Sequence, residues 1–60
     1  MLTLYKVTAT MTNGVKEWKT TVYDAYNTAE EAAEAASRFF KQYRKPELKT
    51  ISILIERYTI

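Results

Sequence analysis

A chain of 60 residues forms one domain at most. A chain this short buries only about 60% of the surface that it exposes when unfolded, so self-association is one expected way to gain stability. It has no cysteine and no histidine, which excludes disulfides and the usual zinc sites and fits a reducing, cytoplasmic location. A net charge of +2 is too small by itself to indicate nucleic-acid binding, and no stretch is apolar enough for a signal peptide or a membrane span.

The first 25 residues predict a β-hairpin. Residues 2–11 and 15–25 alternate between polar and apolar side chains, as half-buried strands do. Asn13-Gly14 between them favours a two-residue type I′ turn, which pairs positions whose numbers sum to 27. One face then carries Tyr5–Val22, Val7–Thr20 and Ala9–Trp18 with Met11, and the other carries Leu4–Tyr23, Lys6–Thr21, Thr8–Lys19 and Thr10–Glu17. The alternation breaks at Asp24, where we expect the second strand to end or bulge.

The next segment, "NTAEEAAEAASRFFKQYRKP", predicts a helix. Thr28 and Glu31 match a capping box at its start, and Pro46 predicts an end near Arg44 or Lys45. Apolar residues at four- and three-residue spacing predict an inward stripe of Ala29, Ala33, Ala36, Phe40 and Tyr43, widened by Ala32 and Phe39.

The last segment, "KTISILIERYTI", is rich in β-branched residues and predicts a third strand. Ile51, Ile53 and Ile55 share its inner face, and the other face carries Ser52, Leu54, Glu56, Tyr58 and Ile60. A right-handed crossover from the second strand through the helix places this strand beside the first. The expected fold is therefore α+β, a three-stranded antiparallel sheet of order 2-1-3 with one helix on one face.

The order of elements, with "VYDAYNTAEEAAEAA" leading into the helix and "TISILIERYTI" closing the sheet, resembles the plan of the archaeal ribosomal protein LX family. That family carries a Gly-Ser-x-His stretch after the helix, and "KQYRKPELK" stands in its place here. The resemblance therefore concerns the topology, and no function is carried over from it.

One helix leaves the second face of the sheet open, and apolar side chains gather at the end of that face away from the hairpin. Exposed apolar patches of this kind mark interfaces, and a second copy of the chain is the simplest occupant. The alternatives are that the chain termini fold over the patch, or that it is ordinary amphipathic strand chemistry. The exposed sheet edges offer another route to a dimer, by strand pairing. The residues predicted to form the interface are Leu2, Leu4, Tyr23, Leu54, Tyr58 and Ile60.

Charge separates along the same axis. Seven cations and two carboxylates at the hairpin end give +5, and the opposite end carries −3. Part of this separation complements the helix macrodipole, and Glu34–Arg38 is an ordinary i,i+4 pair. The other interpretation is a basic pole that contacts nucleic acid or an acidic partner. Its cations are Lys16, Lys19, Arg38, Lys41, Arg44, Lys45 and Lys49.

The sequence predicts neither catalysis nor a bound cofactor or metal. Without histidine or cysteine, the candidate proton carriers are carboxylates, lysines and tyrosines, and Glu30, Glu31 and Glu34 lie on a solvated helix face. One glycine cannot form a phosphate-binding loop. We therefore expect a non-catalytic protein-interaction module, a homodimer that acts by binding or blocking a macromolecule as small accessory or phage-type proteins do. The alternative is a small nucleic-acid-binding protein that uses the basic pole.

Overall fold

A computed structural model of the chain shows an antiparallel sheet with one helix packed on one face. Its elements are β1 (Thr3–Thr12), β2 (Glu17–Tyr26), α1 (Ala29–Gln42), β3 (Arg44–Lys45) and β4 (Leu48–Thr59). The predicted α+β class is confirmed, and so is the pairing of the first strand with both other long strands. The predicted strand count is wrong, because the sheet has four strands in the order β2-β1-β4-β3. The additional strand, β3, folds back on β4 through a two-residue turn at Pro46–Glu47.

The hairpin register differs from the prediction by two residues. Paired positions near the loop sum to 29 rather than 27, as in Met11–Trp18, and residues 13–16 form the loop. Asn13 does not take positive φ; only Gly14 does, at 91°. The side-chain oxygen of Asn13 instead accepts hydrogen bonds from the backbone N–H groups of Val15 and Lys16, at 2.9 and 2.8 Å. This Asx-type turn replaces the type I′ turn and lengthens the loop.

Two irregularities interrupt β2 beyond Thr21. Thr8 pairs with Thr21, but Val7 pairs with Tyr23, so one extra residue lies between these two pairs. A second extra residue lies between Tyr23 and Tyr26. The bulge expected near Asp24 is therefore present, and the strand continues past it to Tyr26.

The helix begins as predicted and ends slightly earlier. Thr28 is the N-cap, and its Oγ1 accepts from the Glu31 N–H at 3.1 Å and donates to the Glu31 carboxylate. The helix ends at Gln42, with Tyr43 as its C-cap, because the chain then turns into β3. The inward stripe is rotated from the predicted one: Ala32 and Ala35 are buried, whereas Ala29, Ala33 and Phe40 are exposed.

The core lies between α1 and the central strand β1. Its members on β1 are Val7, Ala9 and Met11, which face the buried alanines of the helix, and Phe39 packs on Tyr43 with ring centroids 4.7 Å apart. Thr50 on β4 is the one buried polar residue, and its hydroxyl contacts the Met11 sulfur at 3.5 Å. Trp18 lies on the inner face, as predicted, but it is opposite Met11 rather than Ala9 and remains partly exposed.

Candidate functional site

The open sheet face near the termini is partly closed by Tyr58. Tyr58 on β4 pairs with Leu4 on the central strand, and its hydroxyl donates to the backbone carbonyl of Asp24 on β2. The phenol therefore crosses β1 and covers Leu4, which is only 7% exposed. Leu4 was predicted to lie in an exposed interface, and the structure places it in a small second core instead.

The other residues of the predicted interface differ in their placement. Leu2 and Ile60 are exposed and exchange two backbone hydrogen bonds with each other. Tyr23 pairs with Val7 rather than with Leu4, because of the β2 bulges, and its ring packs edge-on against Tyr26 at 4.9 Å. Leu54 is 56% exposed but lies six residues along β4 from Ile60, about 20 Å away. Leu2 and Ile60 therefore stay beside Tyr58, whereas Tyr23 and Leu54 lie apart from them.

One shallow depression lies on this face. It is lined by four charged side chains and one tyrosine: Lys6, Asp24, Glu56, Arg57 and Tyr58. Lys6 lies opposite Glu56 in the β1–β4 ladder, so side chains of opposite charge are neighbours in this depression. No group of three or more histidine, cysteine, aspartate or glutamate side chains is placed to hold a metal ion.

Most of the outer edge of β4 is not paired with another strand. β3 covers only Leu48 and Lys49, and Thr50 donates its N–H to the Tyr43 carbonyl. From Ile51 to Thr59 no strand lies on the outer side of β4.

The hydrogen-bond pattern shows which groups point outward along that edge. Leu2 and Ile60 exchange both of their backbone hydrogen bonds, and the same register continues without interruption from Thr3–Thr59 to Thr10–Ser52. Because bonded pairs alternate along an antiparallel ladder, the even-numbered residues of β4 bond to β1. The N–H and C=O groups that point away from the sheet belong to Ile53, Ile55, Arg57 and Thr59.

The side chains along the free edge are mostly apolar. The run "TISILI", from Thr50 to Ile55, contains no charge and no proline, and Ile51, Leu54 and Ile55 are each at least 40% exposed. The sheet edges were predicted from the sequence as a route to dimers, but this segment was not singled out. Its uncharged, β-branched run is the sequence feature that could have indicated an unprotected edge.

The seven predicted cations of the basic pole lie on different surfaces. Lys19, Lys49 and Arg44 share the open face of the sheet, because they align with Thr10, Thr12 and Lys49 respectively. Lys45 pairs with the half-buried Leu48 on the opposite face. Lys16 lies in the hairpin loop, and Lys41 and Arg38 are on the helix, where Arg38 lies 3.9 Å from Glu34.

No protein family, curated protein or solved structure matches this chain. The topological resemblance to the ribosomal LX plan therefore has no support from these comparisons. The single helix is too short and too polar to cross a membrane. Any function must accordingly be argued from the surfaces themselves.

Proposed function

We propose that this chain is a non-catalytic interaction module that works as a homodimer, in which β4 pairs antiparallel with β4 of a second copy. The observation that carries the proposal is the row of outward-pointing backbone groups on Ile53, Ile55, Arg57 and Thr59. An unpaired, regular and apolar strand edge is a template for another strand.

The shape of the monomer supports a missing neighbour. Its accessible surface is 4480 Å², against roughly 4,000 Å² for a compact monomer of this mass. Its radius of gyration is 12.3 Å, against about 10.4 Å for a compact domain of this length. Only seven of the 60 residues are buried, so the protomer has much to gain from an interface.

Charge complementarity supports a second copy of the chain as the neighbour. The hairpin end of the molecule carries +5 and the opposite end −3. Antiparallel pairing of two β4 strands places the basic end of each protomer beside the acidic end of the other. A parallel pairing would place like charges together.

The length of the free edge selects the register. Ile51 is an extra residue between the Thr10–Ser52 and Met11–Thr50 pairs, so the regular free edge runs from Ser52 to Thr59, and Ile55 lies near its middle. A two-fold axis at Ile55 pairs Ile53 with Arg57 of the partner subunit and uses the edge from Ser52 to Tyr58 without overlapping β3. Shifting the axis to Glu56 or Arg57 would oppose two like charges, which destabilises strand pairs.

Sedimentation equilibrium at tens of micromolar tests the proposal. The wild type should show twice the 7.0 kDa chain mass. The variant Ile55→Lys places two ammonium groups at the two-fold axis and should be monomeric. Val15→Lys is the matched control, because Val15 is 87% exposed in the hairpin loop, and it should remain dimeric.

Two results would contradict the proposal. One is a wild-type chain that stays monomeric at this concentration. The other is a dimer that survives Ile55→Lys and is lost in Leu2→Lys, which would place the interface on the open face near the termini.

A further inference from the structure

The open sheet face at the hairpin end is rich in hydroxyl groups and cations. Three threonines of β1 lie along its centre, with Lys19 on one side and Ser52, Lys49 and Arg44 on the other. The aligned rows are Thr21–Thr8–Leu54, Lys19–Thr10–Ser52 and Glu17–Thr12–Lys49–Arg44.

The cations of this face have no anionic partner within the chain. Arg44 and Lys49 lie directly opposite each other on β3 and β4. Like charges in this arrangement destabilise a strand pair. The one ion pair of the molecule, Glu34–Arg38, lies on the helix and leaves them uncompensated. An anion that bound between them would remove the repulsion.

The size of the face fits an extended anion. From Lys19 on β2 to Arg44 on β3 the sheet is three strand spacings wide, about 14 Å. That width corresponds to about four base-pair steps of a duplex, measured along the helix axis at 3.4 Å per step. Threonine and serine hydroxyls and lysine and arginine side chains are the usual donors to phosphate oxygens. Thr8, Thr10 and Ser52 supply the hydroxyls here, because the hydroxyl of Thr12 donates to the Lys16 carbonyl at 2.8 Å.

The face also lacks the groups that read bases. None of its side chains in this half of the sheet is aromatic, and Trp18 lies on the other face beside Met11. Stacking of single-stranded bases therefore has no platform here. A flat, donor-rich surface contacts backbone phosphates and carries little sequence information.

We propose that this surface, defined by Lys19, Arg44, Lys49 and the threonines between them, binds the phosphate backbone of double-stranded nucleic acid without reading its sequence. It lies within a single protomer and does not depend on the proposed dimer. Glu17, at the β2 end of the third row, is the one carboxylate on the surface and opposes binding.

Fluorescence anisotropy with a labelled 20-base-pair DNA, between 20 and 200 mM salt, tests this inference. With three cations in contact, the plot of log affinity against log salt should have a slope of about −3. Lys49→Gln should lower the magnitude of the slope by about 0.9 and weaken binding about tenfold at 50 mM salt. Glu17→Gln should strengthen binding.

The matched control is Lys45→Gln. It removes the same charge from the neighbouring strand, but Lys45 lies on the opposite face, so its slope should equal that of the wild type. Equal loss of affinity in Lys45→Gln and Lys49→Gln would overturn the inference, since it would reveal only an effect of net charge.

The choice of probe separates the possible ligands. Duplex DNA and duplex RNA that bind within a few-fold of each other would support recognition of the backbone. Tighter binding of single-stranded DNA than of duplex would overturn the inference. Competition by poly-glutamate as effective as that by duplex would also overturn it, in favour of an acidic protein partner.

Discussion

The two edges of the sheet, β2 and β4, are both free of neighbouring strands over most of their length, yet they are built differently. β2 carries two extra residues that break its register, and charged side chains at Glu17 and Lys19. β4 has one extra residue, Ile51, and then keeps an unbroken register with β1 from Ser52 to Thr59, where its charged side chains are Glu56 and Arg57. Bulges and charges are the devices by which proteins prevent edge-to-edge association.

Between Ser52 and Ile55 the edge of β4 has neither a bulge nor a charged side chain, whereas the edge of β2 has both. On β2, the groups that point outward belong to Lys19 and Thr21, because β1 bonds to β2 through its odd-numbered residues. An incoming strand would meet a lysine there and then a bulge at Val22. On β4 it would meet Ile53 and Ile55. If both edges were merely solvated, nothing would account for their different construction, and the following predictions test that difference.

The largest expected effect is a difference in stability between two single proline variants at adjacent positions of β4. Leu54 donates its N–H to β1, so Leu54→Pro removes a ladder bond and should cost about 3 kcal/mol or more. A domain of this size has about 3–5 kcal/mol of stability, so this variant should be largely unfolded. Ile55 directs its N–H outward, and proline is tolerated at such edge positions.

Thermal unfolding followed by circular dichroism measures this difference. Ile55→Pro should keep its fold and lose the dimer, with an unfolding midpoint at least about 12 °C above that of Leu54→Pro. If the two variants unfold alike, the amide of Ile55 is not free, and the assignment of the outer edge is wrong.

Local signals in the sequence predicted the elements well. The predicted N-cap at Thr28 depends on atoms three residues apart, and it is present, although the Glu31 carboxylate accepts from the Thr28 hydroxyl rather than from its backbone N–H. The inner and outer faces near the hairpin loop were also predicted correctly, although the register was wrong. A slip of two residues leaves the side-chain alternation unchanged, because the period of a strand is two.

Features that depend on distant contacts were not predictable in this way. The hairpin register was also wrong, but its cause is local: the Asn13 side chain bonds to the loop backbone instead of permitting a type I′ turn. The burial of Leu4 depends on Tyr58, which is far along the chain and reaches across β1 to the Asp24 carbonyl. The length of the outer edge of β4 that stays unpaired depends on how far β3 extends. β3 consists of two residues whose sequence does not predict a strand.

Engineered cysteines test the two edges and the register together, since the chain has no cysteine of its own. With the axis at Ile55, the two Ile55 Cα atoms of the dimer would lie about 5.5 Å apart, within the range for a disulfide. Ile55→Cys should therefore form a covalent dimer under mild oxidation. In Leu54→Cys the two sulfur-bearing residues are diagonal neighbours about 7–8 Å apart and should cross-link poorly.

A non-reducing gel reads out the result, with Lys19→Cys as the control on the β2 edge. Covalent dimers of Lys19→Cys at a comparable rate would show that β2 also pairs and would remove the contrast between the edges. Faster cross-linking of Leu54→Cys than of Ile55→Cys would move the axis by one residue and refute the register.

The smallest effect, and the most local, is expected in amide hydrogen exchange. The N–H groups of Ile53, Ile55 and Arg57 are open to water in the monomer and would be bonded in the dimer, so their exchange should slow as protein concentration rises. At a total chain concentration of ten times the dissociation constant about one fifth of the chains are monomeric, so the slowing should be about fivefold, because exchange then requires the minor monomer. The amides of Lys19 and Thr21 point outward from the other edge and should exchange at a constant rate. Protection that rises equally at both edges would indicate non-specific association, whereas protection confined to β4 would locate the interface residue by residue without any substitution.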